Sequence, residues 1–311
     1  MTTQALPYIV LLGFMYGSTL VASRFSVGQF EPLTYIGLRL TMAAMAHLII
    51  YAVARQKQWP TDKWLWIHAI ALGIFGTAIP MSGMVMSLQY LSSGVASIFI
   101  TTSPAITVLF AHFLLDDERL TWRTMIGIGL ALAGAILLAL RGETGLADGS
   151  SSWIGYLLVL GPMLFGSVST IYARKYMKTF DSFDVASIRM FTASLMMIPL
   201  SLLIVGFDLS AVTNVGYGAL VYAAVMGTFG GMMLAFYNIK RFGATASSMV
   251  AYVVPIVANI GGILFLDEVF TRGMLFGTAL IIFGIYIINR RQKEALVSQP
   301  AASVQMGKSG D

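Results

Sequence analysis

Ten apolar stretches, separated only by short polar breaks, decide most of what this chain can become; they fall at about residues 7–27, 33–54, 65–89, 94–115, 124–140, 153–172, 184–205, 216–238, 244–266 and 273–289. A helix needs about 20 apolar residues to cross a bilayer, and each stretch approaches that length. Barrel strands would instead alternate with a period of two over about 10 residues. The fold class expected is therefore all-α and integral to a membrane, with ten transmembrane helices. Composition supports this, since 57% of the 311 residues are apolar and 11% are charged, against roughly 25% charged in soluble domains. So few charges cannot cover a water-soluble surface.

The second half of the chain repeats the first at a shift of 149 to 151 residues. Phe14-Met15-Tyr16-Gly17-Ser18 answers Met163-Leu164-Phe165-Gly166-Ser167, and Arg39 answers Arg189. Gly76-Thr77 with Met81 answers Gly227-Thr228 with Met232, Pro104 answers Pro255, and Asp117-Glu118 answers Asp267-Glu268. Each repeat holds five spans. An odd number makes the second repeat enter the membrane from the opposite face, so the two are inverted, an architecture that belongs mostly to transporters built around a central cavity. The expected units are residues 7–141, residues 153–291 and a disordered cytoplasmic tail over 292–311.

Charge placement orients the bundle. Arg55, Lys57, Lys63, Arg119, Arg123, Arg174, Lys175, Lys178, Lys240, Arg241, Arg290, Arg291, Lys293 and Lys308, 14 in all, lie on the side shared by both termini, and only Arg24, Arg141 and Arg272 lie on the other. Positive charge accumulates on cytoplasmic loops, so both termini are expected in the cytoplasm of a bacterial-type inner membrane. The first seven residues carry no Lys or Arg, and the first apolar run is read as a retained helix, not a cleaved signal. The net charge of +5 is spread over span ends. It serves topology, with the lipid bilayer as partner and no nucleic acid. The absence of cysteine excludes disulfides, thiolate nucleophiles and iron–sulfur clusters. No cofactor or metal site is expected, and the oligomeric state cannot be read.

The segment Ser93-Gly94-Val95-Ala96-Ser97 through Pro104 to Asp117-Glu118, with Gly127 and Gly134 after it, resembles the EamA module of the drug/metabolite transporter superfamily; a second copy runs from Gly243-Ala244-Thr245-Ala246 through Pro255 to Asp267-Glu268, Gly277 and Gly284. The resemblance covers residues 7 to 290. It implies ten helices in two inverted repeats and transport of metabolites, often amino-acid export, with bacterial aromatic amino-acid exporters the nearest type.

Candidate substrate contacts come from the two proline-containing spans. Ser97 and Thr101 share a helical face with Pro104, and Ser248, Tyr252 and Asn259 share the equivalent face with Pro255. Opposed across the pseudo-twofold axis, these faces could line a weakly polar cleft, or could simply pack helices closely, as small polar residues do in membranes. Each proline also frees a backbone carbonyl for a ligand or water. Tyr16 and Tyr237 could stack on an aromatic solute. Gly76, Pro80, Gly227, Gly231, Pro104 and Pro255 are candidate hinges, with close packing as the competing reading. Arg39 and Arg189 are the only basic residues well inside spans. Because inversion sends them to opposite halves of the bilayer, a structural role is preferred over carboxylate binding. His47, His68 and His112 lie off-centre. A phosphorylated solute would call for a central Lys or Arg, and none is expected at the centre.

The function expected is a secondary transporter moving small neutral or zwitterionic organic solutes by alternating access, with amino-acid export foremost and other metabolites or drugs as the alternative. An intramembrane enzyme would need clustered nucleophile, base or metal ligands, whereas the acidic residues sit in loops or at span ends.

Overall fold

A computed structural model describes residues 3–54, 58–115, 120–147, 153–242 and 249–297, and among them every regular element is a helix. Eight helices are long and apolar enough to span a membrane: α1 Leu6–Val27, α2 Pro32–Val53, α3 Lys63–Ser87, α4 Ser93–Leu114, α5 Trp122–Leu140, α6 Trp153–Tyr176, α7 Ser182–Ile204 and α8 Asn214–Ile239. Two shorter apolar helices complete the ten, α9 Val250–Leu266 and α10 Arg272–Ile288. The helix of α10 runs on to Val297, so residues 292–297, read from sequence as disordered tail, are helical. Its apolar turns carry straight into Arg290-Arg291-Gln292-Lys293-Glu294, good helix formers with no Gly or Pro to stop them.

Helix starts follow local chemistry. Pro32 opens α2, where a missing N–H costs nothing. The Asp62 carboxylate accepts from Trp64 N and Leu65 N at the head of α3, and Asp181 accepts from Phe183 N and Asp184 N at the head of α7. Ser92 and Thr213 cap α4 and α8 in the same way.

The helix contacts repeat the twofold relation seen in the sequence. α2 packs on α7, α4 on α9 and α5 on α10, each helix meeting its own equivalent; α1 on α9 is matched by α6 on α4, and α3 on α6 by α8 on α1. Thr34 Oγ1 lies 2.6 Å from Ser201 Oγ and Thr41 Oγ1 lies 2.7 Å from Ser194 Oγ, tying α2 to α7. In α5 and α10 the family-like glycines do the packing. A Cβ at Gly127 would strike the Gly284 carbonyl, one at Gly134 the Gly277 carbonyl, and one at Gly284 the Gly127 carbonyl. Bare backbones approach where lipid offers no hydrophobic drive.

α4 and α9 are equivalents with different backbones. α4 breaks at Thr101–Thr102 and restarts at Ser103, with Pro104 in the first turn of the new segment. α9 runs unbroken through Pro255. The end of α9 turns at Asp267, in the left-handed region at φ 53°. That turn aims Glu268 back at the head of α4, where its carboxylate accepts from Ser93 N at 2.7 Å, Ser93 Oγ at 2.7 Å and Gly94 N at 3.3 Å. Burial pushes the Glu268 carboxyl up, overriding those hydrogen bonds and the more distant Arg24. The equivalent acidic pair, Asp117-Glu118, lies outside the described residues.

Candidate solute cavity between the repeats

α3 and α8 each lose regular α-helical pitch at mid-span. Ile74–Ala78 and Ala223–Gly230 are π-helical, and these segments contain Gly76-Thr77 and Gly227-Thr228, the repeat landmarks. Within the wide turn each threonine hydroxyl donates to a carbonyl five residues back, Thr77 to Leu72 at 3.3 Å and Thr228 to Ala223 at 3.2 Å. Each hydroxyl then accepts from an arginine of the other repeat. Arg39 Nε donates to Thr228 Oγ1 at 2.7 Å, and Arg189 Nε to Thr77 Oγ1 at 3.1 Å.

A second bond ties each guanidinium down. Arg189 Nη2 donates to the Gly76 carbonyl at 3.1 Å. That carbonyl is available because Pro80, four residues on, has no N–H to offer it. The same substitution of partners occurs at Pro255. It frees the Ala251 carbonyl, and Thr101 Oγ1 from α4 lies 3.3 Å away while also 2.8 Å from its own Ser97 carbonyl. The carbonyl freed by Pro255 is therefore held by the protein, not left open for a solute.

Arg39 differs from Arg189 in what surrounds it. Its Nη1 donates to Ser23 Oγ at 3.0 Å, and it lines a cavity of about 280 Å³ between the repeats. The walls are Tyr16, Thr19, Leu20 and Ser23 of α1; Arg39 of α2; Met81, Met84 and Val85 of α3, with Leu88 just beyond; Ile100 of α4; Gly227, Thr228 and Met232 of α8; and Val254 of α9. The polar groups gather at one end, and Met, Leu, Val and Ile make the rest. Thr19 is 4% exposed and its hydroxyl has no hydrogen-bond partner. A basic side chain thus does stand on the central cavity. The expectation of no central Lys or Arg is thereby corrected, because Arg39 reaches across to Thr228 of α8 and stands on the cavity wall.

The sequence-derived contacts separate. Tyr16 lines the cavity. Ser97 and Thr101 do not: Ser97 is fully buried and donates to the Gly94 carbonyl at 2.6 Å, and Thr101 is 2% exposed on the α9 contact. Their face closes the α4–α9 junction, so packing is the reading the structure supports for these two. Tyr252 and Asn259 lie in the same junction. Tyr252 packs on the core cluster that includes residues of α4, α5, α6 and α10, and Asn259 Nδ2 donates to the Pro255 carbonyl at 2.7 Å while its side-chain oxygen abuts Gly94. Tyr237 sits far down α8 against Tyr8 and Phe242, with ring centroids 5.4 and 6.2 Å away. Ser248 lies outside the described residues. Gly76, Gly227 and Gly231 are close-contact positions within or next to the π-helical turns, where a Cβ would meet Ser169, Thr19 and Tyr16 respectively.

Thr19 and Ser23 were not singled out from the sequence. The available signal is their spacing from Tyr16, three and seven residues, which puts all three on one face of α1. A larger groove of about 680 Å³ lies between α1, α8 and α9, but it is apolar throughout save Ser18, whose hydroxyl is 2.7 Å from that of Tyr222. It offers a polar solute nothing.

Known proteins share this architecture. Residues 3–140 and 153–290 each match the EamA-like transporter family. An uncharacterized transporter of Archaeoglobus fulgidus is 24% identical over 280 residues, covering 89% of this chain and 95% of its own. The uncharacterized inner membrane transporter YedA of Escherichia coli K12 is 26% identical, covering 96% and 98%. A protein of Streptantibioticus cattleyicolor described as a probable terminal-alkyne amino-acid exporter is 28% identical over 65% of this chain and 66% of its own. A crystal structure 17% identical in sequence superposes with a TM-score of 0.64 over 95% of this chain and 97% of the other, which shows a shared fold. With both halves matched, this chain is a multi-pass membrane protein that belongs to the EamA-like transporter family.

Proposed function

We propose that this transporter moves small, largely apolar neutral or zwitterionic solutes, amino acids foremost, by alternating access across a bacterial-type inner membrane, in the direction of export and with both termini in the cytoplasm. The observation that carries the reading is the cavity at the junction of the inverted repeats, polar around Arg39, Thr19 and Tyr16 and apolar elsewhere. Such a wall suits a solute with one polar end and one apolar end. At about 280 Å³ it lies just below the roughly 300–1,000 Å³ of ordinary small-ligand sites. That favours an amino-acid-sized solute over a nucleotide sugar. The π-helical turn of α8 lines the cavity through Gly227 and Thr228, and a widened turn is where a helix bends with least loss. The relative named for amino-acid export supports the substrate class.

The test is counterflow in liposomes holding the purified full chain, with labelled leucine, phenylalanine, methionine and tryptophan. Exchange of at least one, above empty liposomes, is expected. Rates equal to empty liposomes for all four would sink the reading.

A further inference from the structure

We infer that Arg39 and Thr19 together receive the carboxylate of the transported solute, so that the protein selects monocarboxylates over their amides and amines. This rests on the transport reading above and names the group that it recognises.

Arg39 is 8% exposed, inside an apolar bundle, and no carboxylate forms an ion pair with it among the described residues. Its acceptors are the hydroxyls of Thr228 and Ser23, and the Tyr35 hydroxyl, 3.1 Å from Ser23 Oγ, stands beside the same guanidinium. Hydroxyls orient a cation but do not neutralise it. A guanidinium has five N–H donors in a planar fork that matches a carboxylate. Two are used here by Thr228 and Ser23, and the fork borders the cavity. Thr19, one turn from Ser23 on the same face of α1, brings a buried hydroxyl that nothing in the protein satisfies. Leaving such a group unpaired costs about 1–3 kcal/mol, and an uncompensated intramembrane cation costs more. The Thr19 hydroxyl is set against Gly227, so a carboxylate entering the cavity would neutralise the guanidinium directly and satisfy that hydroxyl on a turn of the Thr19 side chain toward it.

The equivalent arginine shows what a purely structural version looks like. Arg189 spends its second bond on a backbone carbonyl, Gly76 O, and the helix at that point is closed by the contact of Gly76 with Ser169. Arg39 has a hydroxyl and a cavity in those places. One cation with part of its fork already engaged fits a single carboxylate better than a phosphate, which gathers several cationic or N–H donors.

The test is counterflow and thermal stabilisation of the full chain with leucine, phenylalanine and methionine set against their amides. Wild type is expected to favour the acids by tenfold or more. Arg39→Gln should erase the preference, bringing the acids down to the amides' level, and Arg39→Lys should restore part of it. Thr19→Val, which removes a hydroxyl without protein partners, should raise KM for the acids several-fold with little change for the amides. Equal handling of acids and amides by wild type overturns the inference, as does an unchanged preference in folded Arg39→Gln. Should Arg39→Gln not fold, an unchanged acid KM in Thr19→Val overturns it. Transport of amides without acids removes the carboxylate and leaves the transport reading standing. If wild type moves none of the six, nor tryptophan, that reading falls as well.

Discussion

Arg39 Nε donates to Thr228 Oγ1 at 2.7 Å, and its repeat equivalent Arg189 Nε donates to Thr77 Oγ1 at 3.1 Å. Each bond joins the two repeats, and each ends on a threonine inside a π-helical turn whose hydroxyl proton is given to the carbonyl five residues back. The π-turns are thus pinned across the pseudo-twofold axis by a charged donor at mid-bundle. Thr228→Val and Thr77→Val each strand one arginine N–H, and each should cost about 1–3 kcal/mol, read as a lower unfolding temperature in detergent. Transport separates the pair: Thr228→Val should cut flux the more, because only its arginine lines the cavity. Equal flux loss in the two would count against the cavity being the solute path.

The carbonyl freed by Pro255 and the hydroxyl of Thr101 make a second, independent test. Interhelical side-chain hydrogen bonds in membranes average about 0.6 kcal/mol and reach about 1.7, so Thr101→Val should lie in that range. In a Pro255→Ala background, Ala251 regains a backbone donor and the hydroxyl loses its reason to cross from α4. The cost of Thr101→Val should then shrink, and a double-mutant cycle with no coupling would show that the 3.3 Å contact is incidental.

Close-contact glycines give graded predictions. Gly227→Ala drives a methyl group into Thr19, and Gly231→Ala drives one into Tyr16, both on the cavity wall. Flux should fall severalfold in each while the protein still reaches the membrane. Gly129→Ala and Gly218→Ala meet nothing within 4 Å and are the controls. Transport at wild-type rates in Gly227→Ala would mean that the Thr19 side of the cavity is not used.

The ten spans were legible because hydropathy is summed over whole segments and the lipid solvent enforces it, and the inversion because each copy holds an odd number of spans. The repeat register also pointed correctly to Gly76-Thr77 and Gly227-Thr228, although not to the π-turns that contain them, since one extra residue per turn leaves no compositional trace. The solute contacts were harder. Ser97 and Thr101 and the cavity residues Thr19 and Ser23 are alike in type and spacing, and only the rotation of α4 and α1 decides which pair faces a partner helix and which a void. Position along α2 alone does not reveal that Arg39 stands on the cavity wall. What makes it central is the neighbour it reaches in α8.

Glu268 predicts a pH effect. Its carboxyl is held above its ordinary value by burial, so the folded chain binds that proton more readily than the unfolded one. A raised acid pKa adds stability when protonated, and that increment is lost as pH rises from the ordinary glutamate range through the folded value. Unfolding temperature should therefore carry a component that declines across this window toward neutrality. The component should vanish in Glu268→Gln, which keeps one oxygen for Ser93 N. An identical pH profile for the two proteins would show that folding does not shift the titration of this carboxyl.

Orientation can be read directly because the chain has no cysteine. Thr179, in the α6–α7 connection on the termini side, and Ala211, between α7 and α8, are both exposed. In intact cells an impermeant thiol reagent should label Ala211→Cys and spare Thr179→Cys until the membrane is permeabilised. The reverse pattern would place the termini outside.

Coupling to protons needs a titratable group deep in the membrane that meets both compartments in turn. His47 is the candidate by depth, yet it is fully buried, its Nδ1 is 2.8 Å from the Ala43 carbonyl, its Nε2 has no partner, and its ring lies between those of Phe183 and Phe229 at 5.2 and 4.9 Å. No acidic side chain bonds to it among the described residues, and the nearest acid in α7, Asp184, accepts instead from the Tyr51 hydroxyl at 2.7 Å. A ring enclosed by aromatic edges has no acceptor for a second proton. Flux should therefore follow the solute gradient alone, with equal solute on both sides giving no net movement under an imposed pH or sodium gradient. Accumulation under the pH gradient, abolished by His47→Gln, would instead make His47 the coupling group.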